Sequence, residues 1–285
     1  MNKFWIYPCA GLGNRLLALL SAVYWHELSG NRMVVLWKQE TACNAEMEDL
    51  FSLDCADTEI VRMREMTLRK PAEALAILKL KAYEFYLYRT AYALDNDPLL
   101  EVYHTEGMEG IRRLMEQPRL FLRSYSAFAD EEVIRKASSR LKISPKILEH
   151  AEENLGGHDG RKTVGVHIRR TDNQRSIQQS PLSLFIDEMK RRKEEDPETV
   201  FYLATDDLNV RRELSQAGID YITGQVRSLR RDDPSGIEDA FAEMITLSKC
   251  RMILGSYGST FSYIASLIGD NELRILKKTD ESFGD

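Results

Sequence analysis

"KFWIYPCAGLGNRLLALLSAVYWHELSGNRMVVLWK", Lys3 to Lys38, changes its hydrophobic period twice. Lys3 to Tyr7 is a short apolar run of strand length. Arg15 to Leu28 then repeats apolar residues at helical spacing, Ser29-Gly30-Asn31 reads as a turn, and Arg32 to Lys38 is a second strand. Strand, helix and strand in so short a span make a βαβ unit, whose two strands run parallel. Its loop, "GLGNR" (Gly11 to Arg15), has two readings. Bare glycine lets a backbone approach a ligand, and a helix start just beyond it favours an anion; the same glycines also serve a tight turn that binds nothing. Only the rest of the chain separates the two.

Beyond Lys38 the pattern blurs, then recovers as a helical stretch from Ala74 to Leu94 and a short apolar segment from Arg119 to Tyr125. Helices are expected at Glu131 to Leu141 and, after Ser144-Pro145, to Leu155. "GGHDGRK" (Gly156 to Lys162) is the most linker-like stretch, which puts domains at 1–158 and 159–285. The second half alternates cleanly, with strands at Thr163 to Ile168, Thr199 to Ala204, Asp220 to Thr223, Arg251 to Leu254 and Leu273 to Leu276 separated by helices. Such alternation predicts an α/β protein built of two doubly wound, Rossmann-like domains.

Composition narrows the function. The 285 residues, 43% apolar and 29% charged, describe a globular chain long enough for two domains. A net charge of −6 without basic tails argues against nucleic acid as partner. The four cysteines, Cys9, Cys43, Cys55 and Cys250, form no CxxC pair and stand apart from clustered histidines, so neither a zinc site nor a disulfide framework is expected. With no apolar run of signal-peptide or membrane-span type, a cytoplasmic protein is expected. Ala74 to Leu94, aromatic and aliphatic but broken by Lys79, Lys81, Glu84 and Arg89, reads as a core helix with solvated charges; it also fits weak contact with the inner face of a membrane.

Three loops carry candidate chemistry. "VGVHIRRTDN" (Val164 to Asn173) sets His167, Arg169, Arg170, Asp172 and Asn173 where a strand gives out, the end at which parallel sheets bind ligands. Alternation separates His167 and Arg169 from Ile168 and Arg170, so the two arginines should have different partners. Arg169 is expected to grip phosphate through its planar fork, and Arg170 to be held by Asp206 or Asp207. "FYLATDD" (Phe201 to Asp207) repeats the pattern; its paired carboxylates suit a metal, an arginine buttress or a helix cap, and the buttress is preferred without a third oxygen ligand. "MILGSYGSTFSYIASL" (Met252 to Leu267) opens a helix through Ser256, Gly258, Ser259 and Thr260, either donors for an anion or plain capping by Ser259. Glu243, inside the apolar "AFAEMITL", lies on a solvated face or meets a donor such as a guanine edge. Together the loops describe a nucleotide-diphosphate site, which Gly11, Gly13, Asn14 and Arg15 could reach from the first domain.

Taken in order, "GLGNR", "HIRRTD", "YLATDD" and "GSYGSTF" resemble the motifs of the fucosyltransferase superfamily that includes α1,2-, α1,6- and protein O-fucosyltransferases, whose HxRRxD pattern "HIRRTD" matches fully. The resemblance implies a two-domain GT-B fold, a GDP-fucose donor with no other cofactor, inversion at the anomeric carbon, no metal, and a glycan acceptor, free or lipid-linked. It also implies that Arg169 holds the β-phosphate, that His167 and Glu243 contact guanine, that Ser259 and its neighbours hold phosphate, and that Asn14 lies near the fucose. Residues from about Gln39 to Asn154 do not align.

The chain departs from the α1,6 branch, which carries a glutamate five residues after the motif aspartate; Ile177 stands there. Asp172, Glu40 and Asp49 therefore remain alternatives for the catalytic base. A dehydrogenase is excluded in detail: Leu16 replaces the third glycine of GxGxxG, and the second strand ends in Trp37-Lys38 rather than in an acid. Another nucleotide-sugar donor, or a binding protein of the same fold without turnover, stays open.

Overall fold

The computed structural model describes residues 2–64, 71–171 and 173–278, and the side chains of all of these except 71–80. In the first half, β1 (Lys3–Pro8) leads into α1 (Leu12–Ser29) and β2 (Arg32–Gln39), then α2 (Met47–Leu50), β3 (Phe51–Leu53), β4 (Thr58–Arg64), α3 (Pro71–Thr90), β5 (Tyr92–Leu94), α4 (Asn96–Leu114), β6 (Arg119–Ser124), α5 (Glu131–Ala137) and β7 (Leu141–Ile143). The second half continues with α6 (Pro145–Leu155), β8 (Thr163–Ile168), α7 (Gln174–Gln179), α8 (Leu182–Glu195), β9 (Val200–Thr205), α9 (Leu208–Gln216), α10 (Pro234–Lys249), β10 (Met252–Ser256), α11 (Thr260–Gly269) and β11 (Glu272–Leu276).

Two compact units result, Met1–Ser144 with Arg230–Glu238, and Pro145–Leu229 with Asp239–Asp285. The sequence reading divides the chain at 158, whereas α6 goes with the second unit. The cause is local: Asn154 Nδ2 donates to Thr246 Oγ1 at 3.2 Å, and Thr246 Oγ1 donates to Ala151 O at 3.4 Å, tying α6 to α10. The short segment before α10 returns to the first unit, where Asn44 donates its backbone N–H to Arg231 O (3.0 Å) and Nδ2 to Asp232 O (2.7 Å).

The first unit holds a parallel sheet in the order β4-β2-β1-β6-β5. β1 is central, so Phe4, Trp5, Ile6 and Tyr7 are all buried, as in a sheet covered on both faces. Trp5, Tyr7, Val34, Leu36 and Phe121 share one face with Leu87 of α3, whose Tyr83 hydroxyl accepts Trp5 Nε1 at 2.8 Å. α1 stops at Gly30, which takes the left-handed conformation (φ 66°) that lets its N–H reach His26 O.

The second unit holds a parallel sheet in the order β11-β10-β8-β9. The strand expected at Asp220 to Thr223 is reduced to one parallel bridge between Tyr202 and Ile222. Val164, Val166 and Ile168 join Phe201 and Leu203 in a core closed by Phe185 and Met189 of α8 and by Val210 and Leu214 of α9. On the opposite face Gly165 admits α10, since a Cβ there would stand 2.8 Å from Leu247 Cδ2. Strand alternation places His167 on that same face.

Candidate functional site

The carboxyl end of the second unit's sheet gathers most of the residues singled out from sequence. β8 runs out at Ile168, and the turn that follows is held from both neighbouring strands. From β10, Ser256 Oγ accepts the Arg169 N–H at 3.0 Å and donates to His167 O at 3.3 Å. From the end of β9, Thr205 Oγ1 donates to Ile168 O at 2.9 Å, while Asp206 accepts Arg170 N–H at 2.7 Å and Thr171 Oγ1 at 2.8 Å.

The side chains divide differently from expectation. Arg169 Nη1 lies 3.0 Å from Asp206 Oδ2, about one-fifth exposed, so the buttressed arginine is Arg169. Arg170 donates its backbone N–H to Asp206; its Nη1 donates to Arg169 O at 3.0 Å, and its Nη2 is buried with no hydrogen-bond partner among the described residues. Burial holds the Arg170 guanidinium below its ordinary pKa, against the opposing pull of Asp206, Asp207 and Glu213. Asp207 is not a buttress: its Oδ1 accepts the Asn209 N–H at 2.9 Å and caps α9. Asp172 lies outside the described residues.

Ser259 occupies the N-cap position of α11 without a side-chain cap bond; its hydroxyl stands 3.4 Å from His167 Nδ1. Thr260 opens that helix half-buried, at the end that carries the helix's positive pole. The His167 ring is buried and stacks on Phe261 with centroids 4.7 Å apart. Burial drives its pKa well down, only partly countered by Asp206, so the imidazole is neutral. Ser180 was not anticipated: its hydroxyl donates to Leu276 O and accepts Tyr257 N–H at 2.9 Å, fixing the approach to Ser259.

Glu243 is 7% exposed, not on a solvated face, and its Oε1 has no hydrogen-bond partner. Burial pushes its carboxyl up to about 8, opposed by the Arg211 guanidinium. Burial therefore favours Glu243 as a neutral acid at pH 7. Arg211, on α9, is likewise buried at Nε and Nη2 without partners, and sequence spacing offered no signal for it.

In the first unit Gly11 caps α1 and Gly13 is buried in its first turn, while Asn14 is half-buried there. Arg15 corrects the expectation of phosphate contact. It is fully buried, donating Nε to Ala10 O (2.8 Å), Nη1 to Lys38 O (2.5 Å) and Nη2 to Glu40 Oε1 (2.6 Å). The left-handed residue of the loop is Ala10 (φ 66°), whose carbonyl Arg15 holds; Gly11 is extended at φ −72°. Glu40, paired with Arg15 and 3.5 Å from Lys38 Nζ, is committed as well, and Asp49 is exposed on α2.

No family model and no curated protein matches the chain. Solved structures do. NodZ α1,6-fucosyltransferase soaked with GDP-fucose superposes with a TM-score of 0.60 at 19% identity, covering 94% of this chain and 93% of that one. Fucosyltransferase NodZ from Bradyrhizobium gives 0.60 at 18% identity, with 94% of each chain covered. POFUT1 in complex with GDP gives 0.57 at 12% identity, covering 96% of this chain and 98% of that one. The chain has the GT-B fold of these glycosyltransferases, built from two Rossmann-like units.

Proposed function

We propose that the chain transfers fucose from GDP-fucose to a hydroxyl of a glycan, inverting the anomeric carbon and using no metal ion. One observation carries the reading: Arg169, Ser256, Ser259 and neutral His167 converge at the strand ends of the second unit, with the unpartnered acid Glu243 buried in the same unit. An arginine oriented by Asp206 and the N-terminus of α11 supply positive potential for a leaving diphosphate without a cation. Asp206 and Asp207 are spent on the loop and on α9, which leaves that charge work to Arg169. Guanine, with adjacent N–H donors on one edge, answers Glu243 once that acid ionises. The base that takes the acceptor proton is Asp172, Asp49 or none, with departure of the diphosphate leading in the last case, because Glu40 is locked to Arg15.

A thermal-shift panel tests the donor. GDP should stabilise the protein by about 2.7 kcal/mol at a hundred times its Kd, and UDP and NAD should not. Stabilisation by UDP instead would assign another donor, and response to none of them would remove the nucleotide site. Transfer should survive EDTA; a manganese requirement would refute the metal-free route.

A further inference from the structure

A second cavity lies wholly within the first unit, at the carboxyl ends of β1, β5 and β6. Its volume is about 280 Å³, and Cys9, Asp95, Asp97, Arg123 and Tyr125 line it. Apart from Cys9, the lining falls in the stretch that matches no motif.

The two acids flank the start of α4, Asp95 at its N-cap and Asp97 in its first turn, and both carry bonds beyond that helix. Asp95 stands at the N-cap of α4 yet makes no cap bond; its Oδ1 accepts the Tyr88 hydroxyl at 2.7 Å and lies 4.0 Å from Arg123 Nη1. Asp97 Oδ1 accepts Asn96 Nδ2 at 3.1 Å and the Tyr125 hydroxyl at 3.3 Å. The second oxygen of each carboxylate makes no hydrogen bond among the described residues. The buried amide of Asn96 fixes the floor, its Oδ1 accepting Ser124 Oγ at 3.0 Å and Tyr125 N–H at 3.1 Å.

Two features define what fits. Carboxylate acceptors beside a guanidinium donor match vicinal hydroxyls, which both donate and accept. Two acids against one arginine leave the cavity net negative, which repels phosphates and uronic acids. Tyr125 in its lining and Tyr88, bonded to Asp95, leave their rings to water, each 39% exposed. Exposed aromatic surface of this kind marks a binding surface, and a ring with an apolar face and a polar edge suits a sugar.

We propose that this cavity binds a neutral oligosaccharide, which, on the transferase reading above, is the acceptor. The tyrosine rings stack on sugar faces, while Asp97 and Arg123 hold hydroxyls. The test titrates the full chain by calorimetry with cellotetraose, chitotetraose, mannotetraose and galactotetraose. At least one should bind, and Tyr125→Ala and Asp97→Asn should each weaken it about tenfold or more. Hydroxyl-radical footprinting of unmutated protein should show Tyr88 and Tyr125 protected by the same sugar, which guards against a variant that misfolds. Failure of all four to bind, affinity unchanged in both variants, or no protection of either tyrosine overturns the inference. GDP is titrated into the same preparation: GDP binding without sugar binding removes this site alone, and sugar binding without GDP binding removes the donor reading alone.

Discussion

Arg15 and Arg169 make an instructive pair. Each follows the leading strand of a parallel sheet, and each belongs to a stretch for which sequence alone offers a phosphate contact as one reading. Arg15 is buried completely, with Nε, Nη1 and Nη2 given to two carbonyls and Glu40 and its guanidinium 5.2 Å from the Trp37 ring. Arg169 is one-fifth exposed at the carboxyl end of its strand and pairs with Asp206. The difference teaches that a cation following a strand becomes architecture when backbone carbonyls and an acid of its own unit bury it completely, whereas Arg169, also paired with an acid of its own unit, keeps a fifth of its side chain exposed.

The comparison can be broken most directly by stability. Arg15→Met should cost about 3–5 kcal/mol, because Glu40 and two carbonyls lose a buried partner, and denaturant melts will read it. A loss below about 1 kcal/mol would return Arg15 to the list of free cations. Next in size, Arg169→Lys should lower transfer at least a hundredfold while the melting temperature stays within a few degrees, since a point charge cannot reproduce a planar fork. Near-normal turnover would make Arg169 architectural too.

Glu243 sharpens the contrast through pH. Its folded-state pKa of about 8 lies above the ordinary 4.5, so protonation favours the folded, empty protein. Unfolding free energy should therefore decline as pH rises from about 4.5 to about 8, and Glu243→Gln should flatten that slope. GDP affinity should move oppositely: if the carboxylate receives guanine N–H groups, a proton must leave on binding. Affinity then falls by up to about tenfold for each pH unit below 8, and not in Glu243→Gln. A pH-independent Kd in the native protein would detach Glu243 from the base. The smallest effect is expected at Ser259, whose hydroxyl does not cap α11. Ser259→Ala should change stability by less than about 0.5 kcal/mol, where loss of a true cap costs about 1 kcal/mol.

Legibility followed periodicity. The opening βαβ unit and the alternation after Thr163 could be read because each helix and strand buries a regular face. β5 could not: Tyr92 to Leu94 continue the apolar run of α3, and three residues carry no period of their own. The strand expected at Asp220 failed for a related reason, since only Ile222 N and O pair with β9. At the site, the residue types at the strand ends were visible, whereas the burial of Glu243 was one of two readings that the apolar helix left open. The exchange of partners between Arg169 and Arg170 was not, because alternation gives a face and not a distance. No helix among the described residues is long and apolar enough to cross a membrane, and the surface-helix reading of Ala74 to Leu94 falls partly on side chains outside the described ones.

The sequence by itself determined the two parallel sheets, the loops that end them and the chemical kinds gathered there, because these depend on spacing along the chain. Tertiary structure alone decided which arginine is sealed in and which keeps a fifth of its side chain exposed, that Asp207 caps while Asp206 orients, and that Asp95, Asp97, Arg123 and Tyr125 line one cavity. Those outcomes depend on which carbonyls and carboxylates meet across strands, and such meetings are set by packing between residues far apart in the chain.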